Sequence, residues 1–445
     1  MPLGIDGENI KIATCVPFDF AFMADLFWLF GRIIKPIYAR RSDLRAQGQR
    51  IYGEKGLLEI VDKFKQTNPK RSFEQSEKVG QEPVALLSEE LLEDAILRGA
   101  SDLRIDVLKK RGRVKMRVNG FFTNEQNYDK DLINRVISRI MVMSRMNIAE
   151  RRAPQDGSFT RGTINIRVAA LPSKFGYSLA LRFLTPFKKL TGLEELGYQT
   201  EAVQKINRML KADHGLIIIA GPTGSGKSTT LATIVSEAAK KEKSIVTIED
   251  PVEYIIEGVT HTSVDEKGGY DFINALGSVF RQDADAVLVG EIRDSKTAEL
   301  TMRLASGGRL TFSTLHTNDC LGAFTRLIDF GIPDYLLLET VNGVISQRLI
   351  GKLCLLCKIE IESGIFAPKG CHLCNKTGYS GRLAVYDILE ITPEIRLEAK
   401  KNAYEIRQIL ALLAKIQVGV KPCAEAALKR GETSLEEVRR VSYWA

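Results

Sequence analysis

The spacing of apolar and polar residues changes character along the chain, and each change marks a different kind of element. Between Leu86 and Leu196 a period of two dominates. The runs "DLRIDVL", "RVKMRVNG", "INIRVAAL" and "YSLALRFL", beginning at Asp102, Arg113, Ile164 and Tyr177, each set apolar side chains on one face of an extended strand. A helix ending near Gly99 and another from Asp131 to Met146 flank or interrupt these runs, so the segment predicts a small α+β domain. Farther along, the apolar runs become continuous or nearly so: Leu216 to Ala220 and Ala286 to Val289 are unbroken, Ile245 to Ile248 is interrupted only by Thr247, and "LTFSTL" from Leu310 interleaves small hydroxyl residues. Short runs of this kind predict strands buried on both faces, as in the parallel sheet of an α/β domain.

Near the start, "ATCVPFDFAFMADLFWLFGRII" is the longest apolar stretch of that region, but Asp19 and Asp25 make it a poor membrane span. It lacks a basic leading segment and a small-residue cleavage site, so it does not read as a signal peptide. Residues 19–34 are better read as a docking helix or a buried amphipathic helix. The patterns predict five segments: a short N-terminal region and linker (1–84), the α+β domain (85–196), an α/β core (197–350), a cysteine-bearing insert (351–382) and a C-terminal helical part (383–445). The 445 residues suffice for two or three domains with real cores.

Composition changes this picture little. With 44% hydrophobic and 27% charged residues, the chain has the balance of a soluble globular protein. The formal charge of +8 is modest, and part of it gathers between Arg32 and Lys55. Such a segment suits anionic lipid, an acidic partner or nucleic acid, and equally a solvated helix face. Charge alone does not choose among them.

Candidate chemistry is concentrated after the first continuous apolar run. "GPTGSGKST" completes the pattern G-x-x-x-x-G-K-[ST] between a strand and a helix-compatible run, the setting this motif requires. Gly221, Pro222, Thr223, Gly224, Ser225, Gly226, Lys227, Ser228 and Thr229 are therefore expected to cradle the polyphosphate of ATP or GTP. Glycines let successive N–H groups turn inward, and the following helix adds the positive end of its dipole. Lys227 is expected to reach the β- and γ-phosphates and Ser228 to hold magnesium.

Hydrolysis requires more than a cradle. "SIVTIEDPVEYI" places Glu249, Asp250 and Glu253 just after an apolar run, "DAVLVGEIRD" places Glu291 after another, and "LTFSTLHTND" ends a third with His316. Any one of these alone is an ordinary polar residue after a strand. Together, downstream of one phosphate loop, they form the polar strand ends expected of a phosphate-sensing site. "CLLC" and "CHLC" supply Cys354, Cys357, Cys371 and Cys374, two C-x-x-C pairs separated by thirteen residues. Four thiolates at this spacing can converge on one tetrahedral zinc, and a complete sulfur shell leaves no open position, so the metal is expected to be structural. Cys15, Cys320 and Cys423 are scattered and read as packing residues.

The blocks "GPTGSGKSTTL", "IEDPVEY", "RQDADAVLVGEIRD" and "STLHTND" resemble the Walker A, Asp box, Walker B and His box of the type II secretion and type IV pilus assembly ATPases. "GASDLRIDVL", "RRAPQDGSF" and "IRVAALPSKFGYSLALRFL" resemble that family's second N-terminal domain. The resemblance, running from about Leu86 to about Ile391, implies a RecA-like P-loop ATPase core preceded by a PAS-like domain, in a cytoplasmic homo-hexameric motor, peripheral at the inner membrane. That motor would use ATP, Mg2+ and Zn2+ and be held by a polytopic platform protein and a membrane docking protein. It implies that Glu249, Asp250, Glu253 and Glu291 place the metal and attacking water, that His316 senses the γ-phosphate, and that Arg167 and Arg182 approach the nucleotide, from a neighbouring domain or subunit in some members. A four-cysteine motif is frequent among assembly and secretion members and generally missing from retraction motors, which favours extension or export.

Arg104, Tyr177 and Arg309 depart from the family pattern, standing where histidine, glutamate and histidine are usual. The alternative reading is a RecA-like nucleic-acid translocase. No channel of interleaved aromatic and basic residues stands out, so no nucleic-acid partner is expected. A small-molecule kinase is disfavoured by the cysteine insert and the large upstream domain.

Overall fold

The computed structural model describes residues 2–6, 9–14, 33–38, 81–122, 125–184, 192–240, 243–265, 268–371, 374 and 376–442. These fall into two units, one reaching to Phe183 apart from residues 119–123 and 162–164, the other comprising those short pieces and Leu184–Ala445. At the N-terminus β1 (Pro2–Asp6), β2 (Asn9–Thr14) and β3 (Ile33–Tyr38) form a three-stranded sheet. The helix expected over residues 19–34 lies outside the described residues, except that Ile33 and Ile34 belong to β3.

In the α+β part, α1 (Gln81–Leu97) precedes β4 (Ala100–Val107), β5 (Gly112–Val118), β6 (Phe121–Phe122) and β7 (Gln126–Tyr128). Then come α2 (Lys130–Met143), β8 (Gln155–Arg161), β9 (Ile164–Ser173) and β10 (Gly176–Leu184). The sheet runs β6-β5-β4-β10-β9-β8, with β7 also paired to β5. Along β5 every second residue is buried, as the period of two predicts. Helix α2 starts where the Asp129 carboxylate accepts from the N–H groups of Asp131 and Leu132, and it buries Leu132, Ile133, Val136, Ile137, Ile140 and Met141 along one stripe. It ends three residues short of the expected Met146. Strand β8 escaped the sequence reading because none of its residues is buried: it is a polar edge strand without an apolar face.

The second unit opens with a 3-10 turn (Leu193–Leu196) and α3 (Thr200–Met209). It continues with β11 (Gly215–Ala220), α4 (Lys227–Ala239), β12 (Ile245–Glu249), β13 (Val259–Ser263), α5 (Phe272–Val279), β14 (Ala286–Val289), α6 (Ser295–Ser306) and β15 (Leu310–Leu315). After α7 (Cys320–Asp329) and α8 (Asp334–Thr340) the chain enters the long β16 (Val341–Leu353). The β17 (Ile359–Glu362) and β18 (Ile365–Ala367) hairpin leads to β19 (Tyr379–Glu390), and α9 (Pro393–Lys401), α10 (Ile406–Ile416), α11 (Val420–Lys429) and α12 (Leu435–Ser442) follow.

The main sheet runs β13-β12-β14-β15-β11-β16-β19, and every pair in it is parallel except β16 with β19. Strands β11, β14 and β15 are buried at every position, which explains the unbroken apolar sequences of β11 and β14; β15 adds the small buried hydroxyls Thr311, Ser313 and Thr314. The segment after the insert corrects one expectation. Residues 383–390, expected to be helical, lie in β19, which pairs with β16 along its length and closes the edge of the sheet; the helices begin only at Pro393. A return strand with apolar residues on both faces has no helical stripe, and its partner is supplied by a segment distant in sequence.

Candidate active site

The loop between β11 and α4 turns through glycines at φ 155° (Gly221), 79° (Gly224) and 87° (Gly226). These positions favour glycine, and two of them also forbid a side chain by contact. A Cβ on Gly221 would stand 2.5 Å from Ser225 Oγ and 2.6 Å from the Gln347 carbonyl oxygen. On Gly226 it would stand 2.8 Å from Gln347 Nε2.

Gln347, only 1% exposed, is the loop's anchor. Its Nε2 donates to the Ser225 carbonyl at 2.7 Å, while its Oε1 accepts from Tyr198 Oη at 2.6 Å and Thr230 Oγ1 at 2.7 Å. Strand β16 brings it there by pairing with β11 up to Ala220 and Ser346. Gln347 and Tyr198 were missed in the sequence because neither carries a local signal.

Helices α5, α6 and α7 each begin with an aspartate, Asp271, Asp294 or Asp319, accepting from a first-turn N–H. By contrast α4 has no side-chain cap. Its free donors and the buried, unpartnered Ser225 Oγ make a receptor for an anion, where a capping carboxylate would repel polyphosphate. Pro222, Thr223 and Gly224 are exposed along the loop, Ser228 is exposed at the first helical turn, and Thr229 Oγ1 lies 3.1 Å from Tyr254 Oη. Lys227 Nζ donates to the carbonyls of Gly221 at 2.8 Å and Pro222 at 3.1 Å. Burial pulls its ammonium down to about 8, against the attraction of Glu291 and Glu253 and with the repulsion of Arg348. Arg348 is itself buried and, among the described residues, bonded only to oxygens of Gln347 and Asn318, so a second cation stands behind the loop.

The predicted polar residues collect at the same end of the sheet. Arg293 donates to Glu291 Oε1 at 2.6 Å and to Asp250 Oδ2 at 3.1 Å, tying the tips after β12 and β14 together. His316, at the tip of β15, brings Nε2 to 3.3 Å from Glu291 Oε2. Glu249 accepts from Thr247 Oγ1 at 2.8 Å, and the exposed Glu253 donates its backbone N–H to Glu249 at 3.4 Å. Arg293 was overlooked although it stands two residues from Glu291.

Arg167 and Arg182 lie in the other unit. Arg182 is exposed and paired to Asp102 at 3.2 Å, its registered neighbour across β4 and β10. Arg167 is half-buried with no ion pair among the described residues.

The three departures have separate explanations. Arg104 joins Arg113 and Ser178 around Asp106; burial would raise that carboxyl, yet the three hydrogen bonds hold it below its usual range. Tyr177 donates to the carbonyl of Glu150 at 2.8 Å and so pins the "ERRAPQD" loop. Arg309 sits before the first residue of β15, at the opposite end from His316, with its guanidinium over the Phe280 ring.

The sulfurs of Cys354, Cys357, Cys371 and Cys374 all lie within 4.8 Å of one another, with separations of 3.9, 3.7 and 3.7 Å for three of the pairs. A tetrahedral site with Zn–S bonds of about 2.3 Å requires about 3.8 Å between sulfurs. Cys374 Sγ also accepts the N–H groups of Cys371 at 3.1 Å and Gly378 at 3.2 Å, as a thiolate ligand would.

A phosphate loop at the carboxyl end of a mostly parallel sheet, ringed by acidic strand tips, defines the chain as a P-loop ATPase. Residues 77–440 match the Type II/IV secretion system protein family, and the chain belongs to it. Residues 1–57 match the MshEN domain, in a region where the sequence offered no motif. The putative type II secretion system protein E of Escherichia coli (strain K12) is 37% identical over 384 residues, covering 81% of this chain and 77% of that protein. The type IV pilus assembly ATPase PilB of Thermus thermophilus is 32% identical over 432 residues, covering 91% of this chain but only 48% of PilB. Among solved structures, the pilus retraction motor PilT with bound ADP aligns at TM-score 0.56 and 25% identity over 79% of this chain and 96% of that one.

Proposed function

We propose that this chain is the motor ATPase of a type II secretion or type IV pilus assembly system. In this reading six copies form a cytoplasmic ring, peripheral at the inner membrane, that passes the motion of ATP hydrolysis to a polytopic platform protein. The observation that carries it is the convergence of the Lys227 loop with Glu249, Asp250, Glu291 and His316 at one end of one sheet, in a chain of this family. Residues 1–57 are the candidate contact for the membrane docking protein.

Lys227 leaves the Gly221 and Pro222 carbonyls to meet the β- and γ-phosphates, and Ser228 supplies a hydroxyl to Mg2+, which neutralises phosphate charge. Glu249, Asp250, Glu253 and Glu291 set the water in line, and His316 reports the γ-phosphate through its contact with Glu291. Arg182 reaches the nucleotide by giving up Asp102, an exposed pair worth at most about 1 kcal/mol.

If the arginines act across a boundary, the site is complete only in the ring, so ATPase activity per chain is expected to rise with protein concentration. Mixing Lys227→Ala chains with Arg182→Ala chains is expected to restore part of the activity that each lacks alone. Activity that is independent of concentration, unchanged by mixing and stimulated by single-stranded DNA would favour a nucleic-acid translocase instead.

Zn2+ is the proposed occupant of the four-cysteine cluster. Leu355, Leu356, Ile359 and Ile361 of the insert are exposed, and the cysteines themselves make up its small core. Cys371→Ser or chelation is therefore expected to release one zinc per chain and unfold the insert, while nucleotide binding persists. Elemental analysis of reduced protein, alongside a nucleotide titration, checks both halves.

A further inference from the structure

We propose that His261, acting through Thr247, positions Glu249 for hydrolysis; this rests on the reading of Glu249 given above. His261 lies directly across from Thr247 in the parallel β12–β13 pair. The backbone N–H of Ile256 donates to His261 Nε2 at 3.0 Å, so Nε2 is an acceptor and the ring proton sits on Nδ1. Nδ1 is 2.9 Å from Thr247 Oγ1 and 3.3 Å from Glu249 Oε1. The Thr247 hydroxyl has one proton, and it donates that proton to Glu249 Oε1 at 2.8 Å. It must therefore receive the Nδ1–H.

The hydrogen bonds then run one way, from Ile256 N–H to the imidazole, from the imidazole to Thr247, and from Thr247 to the carboxylate. The His261 side chain is 8% exposed and that of Glu249 16%, so water competes little for these bonds. Glu249 Oε1 is thereby held by the Thr247 hydroxyl. Oε2 receives only the long N–H contact from Glu253 among the described residues, which leaves it for the attacking water or a metal-bound water. His261 touches no reacting atom and is a positioning residue. Its signal in the sequence was hidden, since "VTHTS" on an edge strand carries no motif.

The test is steady-state ATPase kinetics and equilibrium ATP binding on the full chain for Thr247→Val, His261→Ala, the double variant, His261→Gln and Glu249→Gln. His261→Ala and Thr247→Val are each expected to lower kcat by about tenfold to a hundredfold, as lost second-layer partners do. KM and the dissociation constant for ATP should stay within about twofold. The double variant should be no worse than the poorer single one, because both break the same chain of bonds. His261→Gln should recover most of kcat, since its amide offers an acceptor to Ile256 and a donor to Thr247.

Wild-type kcat in His261→Ala beside a large loss in Glu249→Gln overturns the relay and leaves the role of Glu249 intact. Additive losses in the double variant, with a lowered melting midpoint and no rescue by glutamine, overturn it as well, by showing a merely structural histidine. Full kcat in Glu249→Gln overturns the reading of Glu249 and the relay with it.

Discussion

Lys227→Ala is expected to abolish ATP hydrolysis, with a loss on the order of a hundredfold or more, the scale of removing a transition-state charge contact. The reason lies in where the ammonium sits. Its Nζ is held by the Gly221 and Pro222 carbonyls at the mouth of an uncapped helix, and the residue is only 9% exposed, so alanine leaves no cation in its place to meet the phosphates. The same burial gives a pH test. In the free protein the ammonium is pulled down to about 8, so at pH 7 most chains carry the charge and at pH 9 most have lost it. A polyphosphate favours the charged form, so binding above pH 8 takes up a proton, and nucleotide affinity should weaken as pH rises. Isothermal titration at pH 7 and pH 9 checks this; equal affinities and equal proton uptake would remove Lys227 from the phosphate contacts.

Glu291→Gln is expected to bind ATP with near wild-type affinity while turnover falls on the order of a hundredfold or more. The carboxylate is the junction of the acidic tips: Arg293 and His316 both contact it, and Arg293 carries the link on to Asp250. A glutamine keeps the shape but loses the charge, so it can neither accept a proton from water nor hold Arg293 as firmly. Because Glu291 also attracts Lys227, its neutralisation removes one of the influences that keep the lysine charged. The checking experiment pairs a binding titration with single-turnover hydrolysis. Full turnover would exclude Glu291 from the chemistry.

Lys227 and Glu291 are both legible in the amino-acid sequence. The phosphate loop could be read because its constraints are local: three glycines at positive φ, a lysine and a hydroxyl must fall within nine residues for the backbone to close around phosphate. The strand-end acids were legible for a related reason. A mostly apolar run ends where the sheet meets solvent, and the acidic residues follow at that edge. The paired cysteines carried their spacing with them, and their sulfurs meet as the spacing implied.

Other features depended on contacts that no local pattern records. Strand β8 has no apolar face to announce it, and β19 takes its conformation from β16. The sequence by itself determined the α/β class, the nucleotide cradle, the acidic tips and the metal-ready cysteines, since each follows from chemistry within a few residues. Only the tertiary structure decided that Gln347 clamps the loop 122 residues before it, that Arg293 joins Glu291 to Asp250, and that His261 stands opposite Thr247. The physical reason is strand pairing: in a parallel sheet, neighbours come from segments far apart in the chain, and the register of that pairing sets which side chains meet.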